Sequence, residues 1–340
     1  MNSKLLQAKK IIILDLLYLG DLIFATPFFR NLRNNVPNAR IDIIVNSNFS
    51  EILEGNPYLD NIISYNKKYK TMESIHFARN VAKNRYDLGL NIHGNWRTAL
   101  LMRLINPDYS IGFGGKGRGI FLNEEFIPPK NTHMVDIYLK FLNSLGISEI
   151  DNYGLELNVE KKAEESIDKF LNDQGVEKED ILVGLNTGGS YRTKKWPIRK
   201  FAKLADIIQL DYNKKVVFFG GTVDVERVYE IVGIMRTEPI VAAGKTSLKE
   251  LSALAKRCSL LITGDTGPLH VTASVGTPTI ALFGPTDEEM FYPYGKGHQV
   301  IVVEDLDCRP CGEHNCPLGH HKCLEDIHVE HVLKKAEKYL

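Results

Sequence analysis

Between Lys10 and Asp15 the chain reads KIIILD: four consecutive apolar positions, three of them β-branched, closed by a carboxylate. A run so short and so uniformly apolar predicts a strand buried on both faces, the kind a parallel sheet uses. The loop Leu16–Gly20 follows, and Asp21 is expected to open a helix running towards Arg33. RIDIIVN at Arg40–Asn46 is the next strand and completes a β-α-β unit. Strand-like runs recur at Asn61–Tyr65 and Leu88–Ile92, with helical periodicity at Met72–Lys83 and Trp96–Ile105. Alternation of this kind predicts a mostly parallel sheet covered on both faces.

The alternation then resumes with different contents. Ser166–Gln174 reads as a helix, Leu182–Asn186 as a strand ending in NTGGS, and Ile198–Gln209 as a helix. The strand Val216–Phe219 and a helix from Asp224 to Met235 come next, followed by a strand, a short helix and a strand between Leu260 and Thr286. The two arrays join near Asp151–Glu160, and Val329–Leu340 reads as a basic-rich amphipathic helix. The expected architecture is α/β, with two doubly wound Rossmann-like domains facing a cleft. Residues 1–155 form the first domain, 156–325 the second and 326–340 a terminal helix.

Composition changes this picture little. A chain of 340 residues suits two domains, and 42 Lys plus Arg against 42 Asp plus Glu leaves no global basic field for nucleic acid. Local balance says more. From Asn61 to Gly119 ten basic residues face only Glu73, Asp87 and Asp108, a surplus of seven. Such a stretch reads either as a solvated surface or as the footprint of an anionic acceptor or membrane surface. The apolar start imitates a leader peptide, but Asp15 and Asp21 interrupt it, and no apolar run is long enough to span a bilayer. The expectation is a cytoplasmic protein whose membrane contact is peripheral.

In open parallel sheets ligands bind beyond the carboxyl ends of strands, and three such ends here carry suitable chemistry. In GDTGPLH, Asp265 or Thr266 is placed to cap a helix, Gly267 lets backbone approach closely, and Pro268 suits the first turn. Backbone N–H groups and the positive helix end would then receive phosphate oxygens near His270. The alternative is a well-capped helix that binds nothing. Asn186-Thr187-Gly188-Gly189-Ser190, with Arg192, Lys194 and Lys195 behind it, is a second anion cradle but not a Walker loop, whose spacing is absent. Two anion sites on neighbouring strands suggest a diphosphate, neutralised by lysine and helix dipole without a metal. At the third end, Asp21 reads either as a simple N-cap or, facing the cleft, as a general base. Cys308, Cys311, Cys316 and Cys323, beside His314, His320 and His321, read either as a structural zinc site, although their spacing matches no standard finger, or as reduced or redox-variable thiols.

Four segments, in chain order, resemble glycosyltransferase family 9, the ADP-heptose:lipopolysaccharide heptosyltransferases. LGDLIFATPFFRNLR is similar to that family's opening Gly-Asp loop and helix, and YDLGLNIHGNWRTALLMRL to its mid-domain loop. SYRTKKWP is similar to its Lys-x-Trp-Pro region, and GDTGPLHVTASVGTPTIALFGPT to its signature motif. The cysteine-rich tail is most similar to the heptosyltransferase II branch. The resemblance implies a GT-B fold with an N-terminal acceptor domain, a C-terminal nucleotide-sugar domain and a final helix packing back towards the first. It implies inverting, metal-independent transfer of heptose from ADP-heptose to a hydroxyl of the lipopolysaccharide inner core, at the inner membrane. Asp21 matches the general base and Lys194 the residue near the donor phosphates. Thr187, Gly188, Asp265, Thr266, Gly267 and His270 match the donor loops, and Asp224 or Glu226 the ribose contact. His93, Asn95 and Arg97 fall in the acceptor loop, where His93 replaces a common Gln and Asn91 an expected Asp. Two other readings stand beside this one: a GT-B enzyme of the UDP-N-acetylglucosamine 2-epimerase kind, and a non-catalytic sugar-nucleotide-binding protein.

Overall fold

The computed structural model describes residues 3–340, and the chain divides between Gly154 and Leu155 into two compact units. The first is built on strands β1 (Lys10–Asp15), β2 (Arg40–Asn46), β3 (Asn61–Tyr65), β4 (Leu88–Asn91), β5 (Tyr109–Phe113) and β6 (Glu124–Phe126). They form one parallel sheet in the order β3-β2-β1-β4-β5-β6. This is the doubly wound order, whose reversal between β1 and β4 opens a crevice at the strands' carboxyl ends. Ile11 to Asp15 are fully buried, as an apolar central strand with helices on both faces requires. Leu14 pairs with Asn91, and Asp15 with Val45.

The helix expected to run from Asp21 to Arg33 is two helices, Leu19–Phe24 and Thr26–Asn35. Pro27 is the cause. It has no N–H to give Ile23 O, so the helix breaks, and the Thr26 hydroxyl donates to that carbonyl instead at 2.8 Å. The first helix also starts earlier than expected. Tyr18 is its cap, and Asp21 stands at the third helical position, where its carboxylate accepts from Tyr18 N–H at 3.2 Å. Behind these helices Phe28, Tyr138 and Phe141 pack an aromatic layer, with Tyr138 and Phe141 carried by the helix Met134–Ser144.

The second unit repeats the plan. Its strands are β7 (Leu182–Asn186), β8 (Lys215–Phe219), β9 (Ile240–Val241), β10 (Leu260–Gly264), β11 (Thr279–Leu282) and β12 (Gln299–Ile301). The order β12-β11-β10-β7-β8-β9 is again parallel, and reversal now falls between β7 and β10. Trp196, Phe201, Leu204, Phe218, Ile262 and Leu282 share one core. The helix expected from Ser166 begins at Lys161, and the one expected over Asp224–Met235 is a short 3-10 turn followed by Val225–Val232. The terminal helix, Val329–Ala336, uses its apolar side within this unit: Val329, Val332 and Ala336 belong to the same core. Just before it, Ile327 O accepts from the Trp196 indole N–H at 3.1 Å. Among the described residues no helix is long and apolar enough to cross a membrane.

Candidate active site

Because β7 and β10 are neighbours, the two anion-cradle sequences come together at one place. The register sets Asn186 beside Thr263. The Asn186 amide donates to the hydroxyls of Thr263 at 2.8 Å and Thr266 at 3.0 Å, locking one strand end to the other. Beyond them Lys194 Nζ meets Asp265 Oδ2 at 2.6 Å, and His270 Nε2 stands 3.6 Å from Asp265 Oδ1. Burial alone would raise the Asp265 carboxyl, but His270 and the Lys194 ammonium outweigh it and bring it down to about 2. It is a buried permanent anion with cationic company.

That pairing changes the expected helix start. Neither Asp265 nor Thr266 caps the helix Gly267–Ser274 with its side chain. Asp265 is turned to Lys194 and His270, and the Thr266 hydroxyl is held by Asn186. Thr266 is the extended N-cap; Pro268 has no N–H and Leu269 N–H donates to Thr266 O at 3.1 Å, which leaves the Gly267 N–H for another acceptor. A phosphate oxygen is such an acceptor. Gly264 is needed for the approach, since a Cβ there would stand 2.9 Å from Lys194 O.

Of the two expected ribose carboxylates, the structure brings Asp224 to this end. A Cβ on Gly188 would lie 2.7 Å from Asp224 Oδ1, and Asp224 Oδ2 accepts from Gly221 N–H at 3.0 Å. Glu226 is exposed on the following helix. Thr187 is buried, and its hydroxyl has no hydrogen-bond partner within the protein. Asn186 and Arg227 complete the site and were not singled out from sequence. Arg227 donates to Thr187 O and Trp196 O, holding the β7 turn against the lysine loop. Asn186 ends NTGGS, so the motif contained it; nothing local marks Arg227.

In the first unit Lys67 lies within electrostatic reach of Asp15, Asp21 and His93, which follow the carboxyl ends of β1 and β4. His93 is buried, and its Nδ1 accepts from Leu16 N–H at 3.1 Å, tying the loop after β1 to the loop after β4. Burial, then the charges of Lys67 and Arg118, pull its imidazole down to about 4, so it is neutral at physiological pH. Asn95 caps the helix Trp96–Ile105 by accepting from Thr98 N–H at 2.9 Å, and its amide lies against His93 Nε2. Arg97 spends its donors on Lys67 O, the Tyr65 hydroxyl and Tyr69 O, bracing the loop that carries Lys67. Lys67 feels both Asp15 and Asp21, while burial and Arg97 pull its pKa down. Lys67 and Asp15 are further residues that sequence reasoning did not place in a site. Asp15 was used only as an interruption of an apolar run.

The four clustered thiols are free, with Cys323 buried and Cys311 exposed. They line one small pocket with His320, His321 and Thr193. Among the described residues no three His, Cys, Asp or Glu side chains converge closely enough to hold a metal ion. His321 Nε2 is taken by Thr193 O at 2.9 Å, and His320 Nδ1 by Lys322 N–H. The tail instead rests on the lysine loop, where His314 stacks on Tyr191 and the Thr193 hydroxyl donates to Glu313 O at 2.6 Å.

Known proteins resemble this chain along most of its length. The model of glycosyltransferase family 9 (heptosyltransferase) matches residues 74–322. Lipooligosaccharide heptosyltransferase 2 of Campylobacter jejuni is 28% identical over 329 residues, covering 95% of this chain and 96% of its own. Lipopolysaccharide heptosyltransferase 3 of Escherichia coli is 30% identical over 334 residues, covering 95% and 96%. A solved family 9 glycosyltransferase from Veillonella parvula superposes with a TM-score of 0.90 at 33% identity, over 97% of both chains. The fold is of the GT-B class, as heptosyltransferase structures are.

Proposed function

The chain belongs to glycosyltransferase family 9, and we propose that it is an inverting, metal-independent heptosyltransferase moving heptose from ADP-heptose to a hydroxyl of the lipopolysaccharide inner core. The observation that carries this reading is the β7–β10 strand end. There Lys194, the helix start at Gly267 and the glycine turn at Gly188 converge where a diphosphate would be held. Asp265 keeps Lys194 extended over that end. Asp224 sits beside Gly188 as the ribose contact, with Thr187, Thr266 and His270 around the phosphates.

Asp21 takes the proton of the acceptor hydroxyl as that oxygen forms its bond to the anomeric carbon. The bond from the anomeric carbon to the diphosphate breaks on the opposite face, so configuration inverts. ADP leaves carrying the electron pair, and Lys194 with the Gly267 N–H at the helix start stabilises the growing charge. That stabilisation comes from fixed protein donors, which is why no metal enters the scheme. Asp21 sits in the first turn of its helix, a place that makes a carboxylate a weaker base, so its position against the acceptor hydroxyl has to compensate. His93, Asn95 and Arg97 shape the acceptor side through the two loops they join, and the basic surplus around them suits a phosphorylated core and a peripheral contact with the anionic leaflet.

The test is transfer from ADP-L-glycero-D-manno-heptose to heptose-deficient lipopolysaccharide with EDTA present, read by mass spectrometry of the acceptor. Heptose is expected on the product, and Asp21→Asn is expected to slow turnover about a hundred- to ten-thousand-fold with donor binding unchanged. Transfer that stops with EDTA and returns with a divalent ion would overturn metal independence. Near-normal turnover in Asp21→Asn would overturn the base.

A further inference from the structure

Asp15 ends the most deeply buried strand of the first unit and is itself fully buried. Among the described residues its Oδ1 accepts a single bond, from Leu17 N–H at 2.9 Å, and its Oδ2 has no hydrogen-bond partner. The Tyr138 hydroxyl is likewise buried and without a partner, and it lies within electrostatic reach of both Asp15 and Asp21. A carboxylate out of water needs several donors or a paired cation to remain ionised. One backbone N–H is not enough, whereas a neutral acid costs far less in the same place than a bare carboxylate.

We propose that Asp15 is a proton-holding positioning residue that forms a carboxyl pair with Asp21, the pair carrying one negative charge that stays on Asp21. This deepens the reading of Asp21 as base and rests on it for the reaction, though not for the pair itself. Consecutive amides hold the two carboxyls, Leu17 N–H on Asp15 at 2.9 Å and Tyr18 N–H on Asp21 at 3.2 Å; carboxyls so placed cannot both ionise cheaply, and the more buried partner keeps the proton. Burial first, and the Asp21 charge second, push the Asp15 acid up to about 8, while Leu17 N–H and Lys67 partly offset them. The groups facing the pair are Asp21 on the helix after β1, Lys67 after β3, His93 after β4, and Tyr138 on Met134–Ser144. That last helix also carries Asp136, with His133 at its cap. His93 is neutral at neutral pH, so Lys67 is the cation that faces both carboxyls.

Above about pH 8 the second proton leaves. Two like charges then occupy one strand end, and Asp21, half-buried in a six-residue helix, is the one displaced from its Tyr18 N–H. The experiment is the pH profile of kcat/KM for the full chain and for Asp15→Asn, which mimics the protonated acid. In the unsubstituted protein kcat/KM should fall about tenfold between roughly pH 7 and pH 9, as one ionisation near 8 requires. In Asp15→Asn the same ratio should stay within about twofold. An alkaline limb unchanged by the substitution overturns the proposal. Carbon-13 NMR of the Asp15 carboxyl in the unsubstituted protein decides the matter without turnover, and so stands even if Asp21 is not the base or the variant does not fold. Titration well above the ordinary aspartate range supports the pair, and titration near 4 overturns it.

Discussion

At the end of β10 a buried carboxylate has Lys194 at 2.6 Å and His270 at 3.6 Å; at the end of β1 a buried carboxyl has only one backbone N–H. The two strands hold comparable places, each at the crevice where its sheet's order reverses. Their acids are driven in opposite directions, Asp265 down to about 2 and Asp15 up to about 8. Topology therefore fixes where a polar group is placed, and its neighbours fix what charge it carries. The second unit pairs a permanent anion with a lysine. The first unit buries a carboxyl with too few donors to favour its charge, within reach of a second carboxyl.

The strongest way to break that contrast is to make the second unit resemble the first. Lys194→Met removes the close partner of Asp265 and leaves a buried charge, which should cost about 3–5 kcal/mol of stability in chemical denaturation. Adding Asp265→Asn should return part of the loss; an unchanged denaturation midpoint in the single variant would mean that the pair is too well solvated to matter. The same pair sets the acid behaviour. The folded value for Asp265 lies below its unfolded 3.8, so its contribution is present above that pH and is lost as pH falls towards 2. Asp15 has the opposite sign. Its folded value is raised, so stability is full below 3.8 and declines as pH climbs through about 8. Thermal unfolding at both pH extremes should show Asp15→Asn gaining on the parent only on the alkaline side, and a gain at acid pH would contradict the assignment.

A smaller effect sharpens the comparison from the donor side. Gly188→Ala places a Cβ 2.7 Å from Asp224 Oδ1, so the carboxylate must move. Overpacking of this kind costs about 1–3 kcal/mol, and here it should appear as weaker ADP binding in calorimetry. Binding equal to the parent would separate Asp224 from the ribose. The smallest effect belongs to the first unit. Asn95→Ala removes a cap bond and should lower stability by about 1 kcal/mol, while freeing the ring of His93. A loss of acceptor affinity larger than that would show that Asn95 touches the acceptor as well as the helix.

Much of the fold was legible locally. β1 and β7 have the limits their apolar runs suggested, because a central strand buried on both faces must be apolar. β2 and the edge strand β3 also match, each long enough to show its run of β-branched residues. The shortest edges were not legible. Glu124–Phe126 and Ile240–Val241 are too short to show a period, and they are strands because a neighbour offers a hydrogen-bonding edge. The donor loops were readable for a local reason, since glycine, hydroxyl and lysine placed together after a strand carry their chemistry in the segment itself. Asp224 over Glu226, Asn186 as the clamp between strands and Arg227 as a brace needed the fold, since each is defined by what stands across from it.

By itself, then, the sequence determined the α/β alternation, the two strand ends rich in anion-binding groups, and the carboxylate Asp21 after the first strand. Those follow from patterns a few residues long, in which side-chain polarity and backbone preference act locally. Only the tertiary structure decided that Asp265 is charged and Asp15 is suited to hold a proton. The ionisation of a buried acid depends on the donors and cations brought to it by distant segments: Lys194 and His270 in one unit, Lys67, Tyr138 and Asp21 in the other.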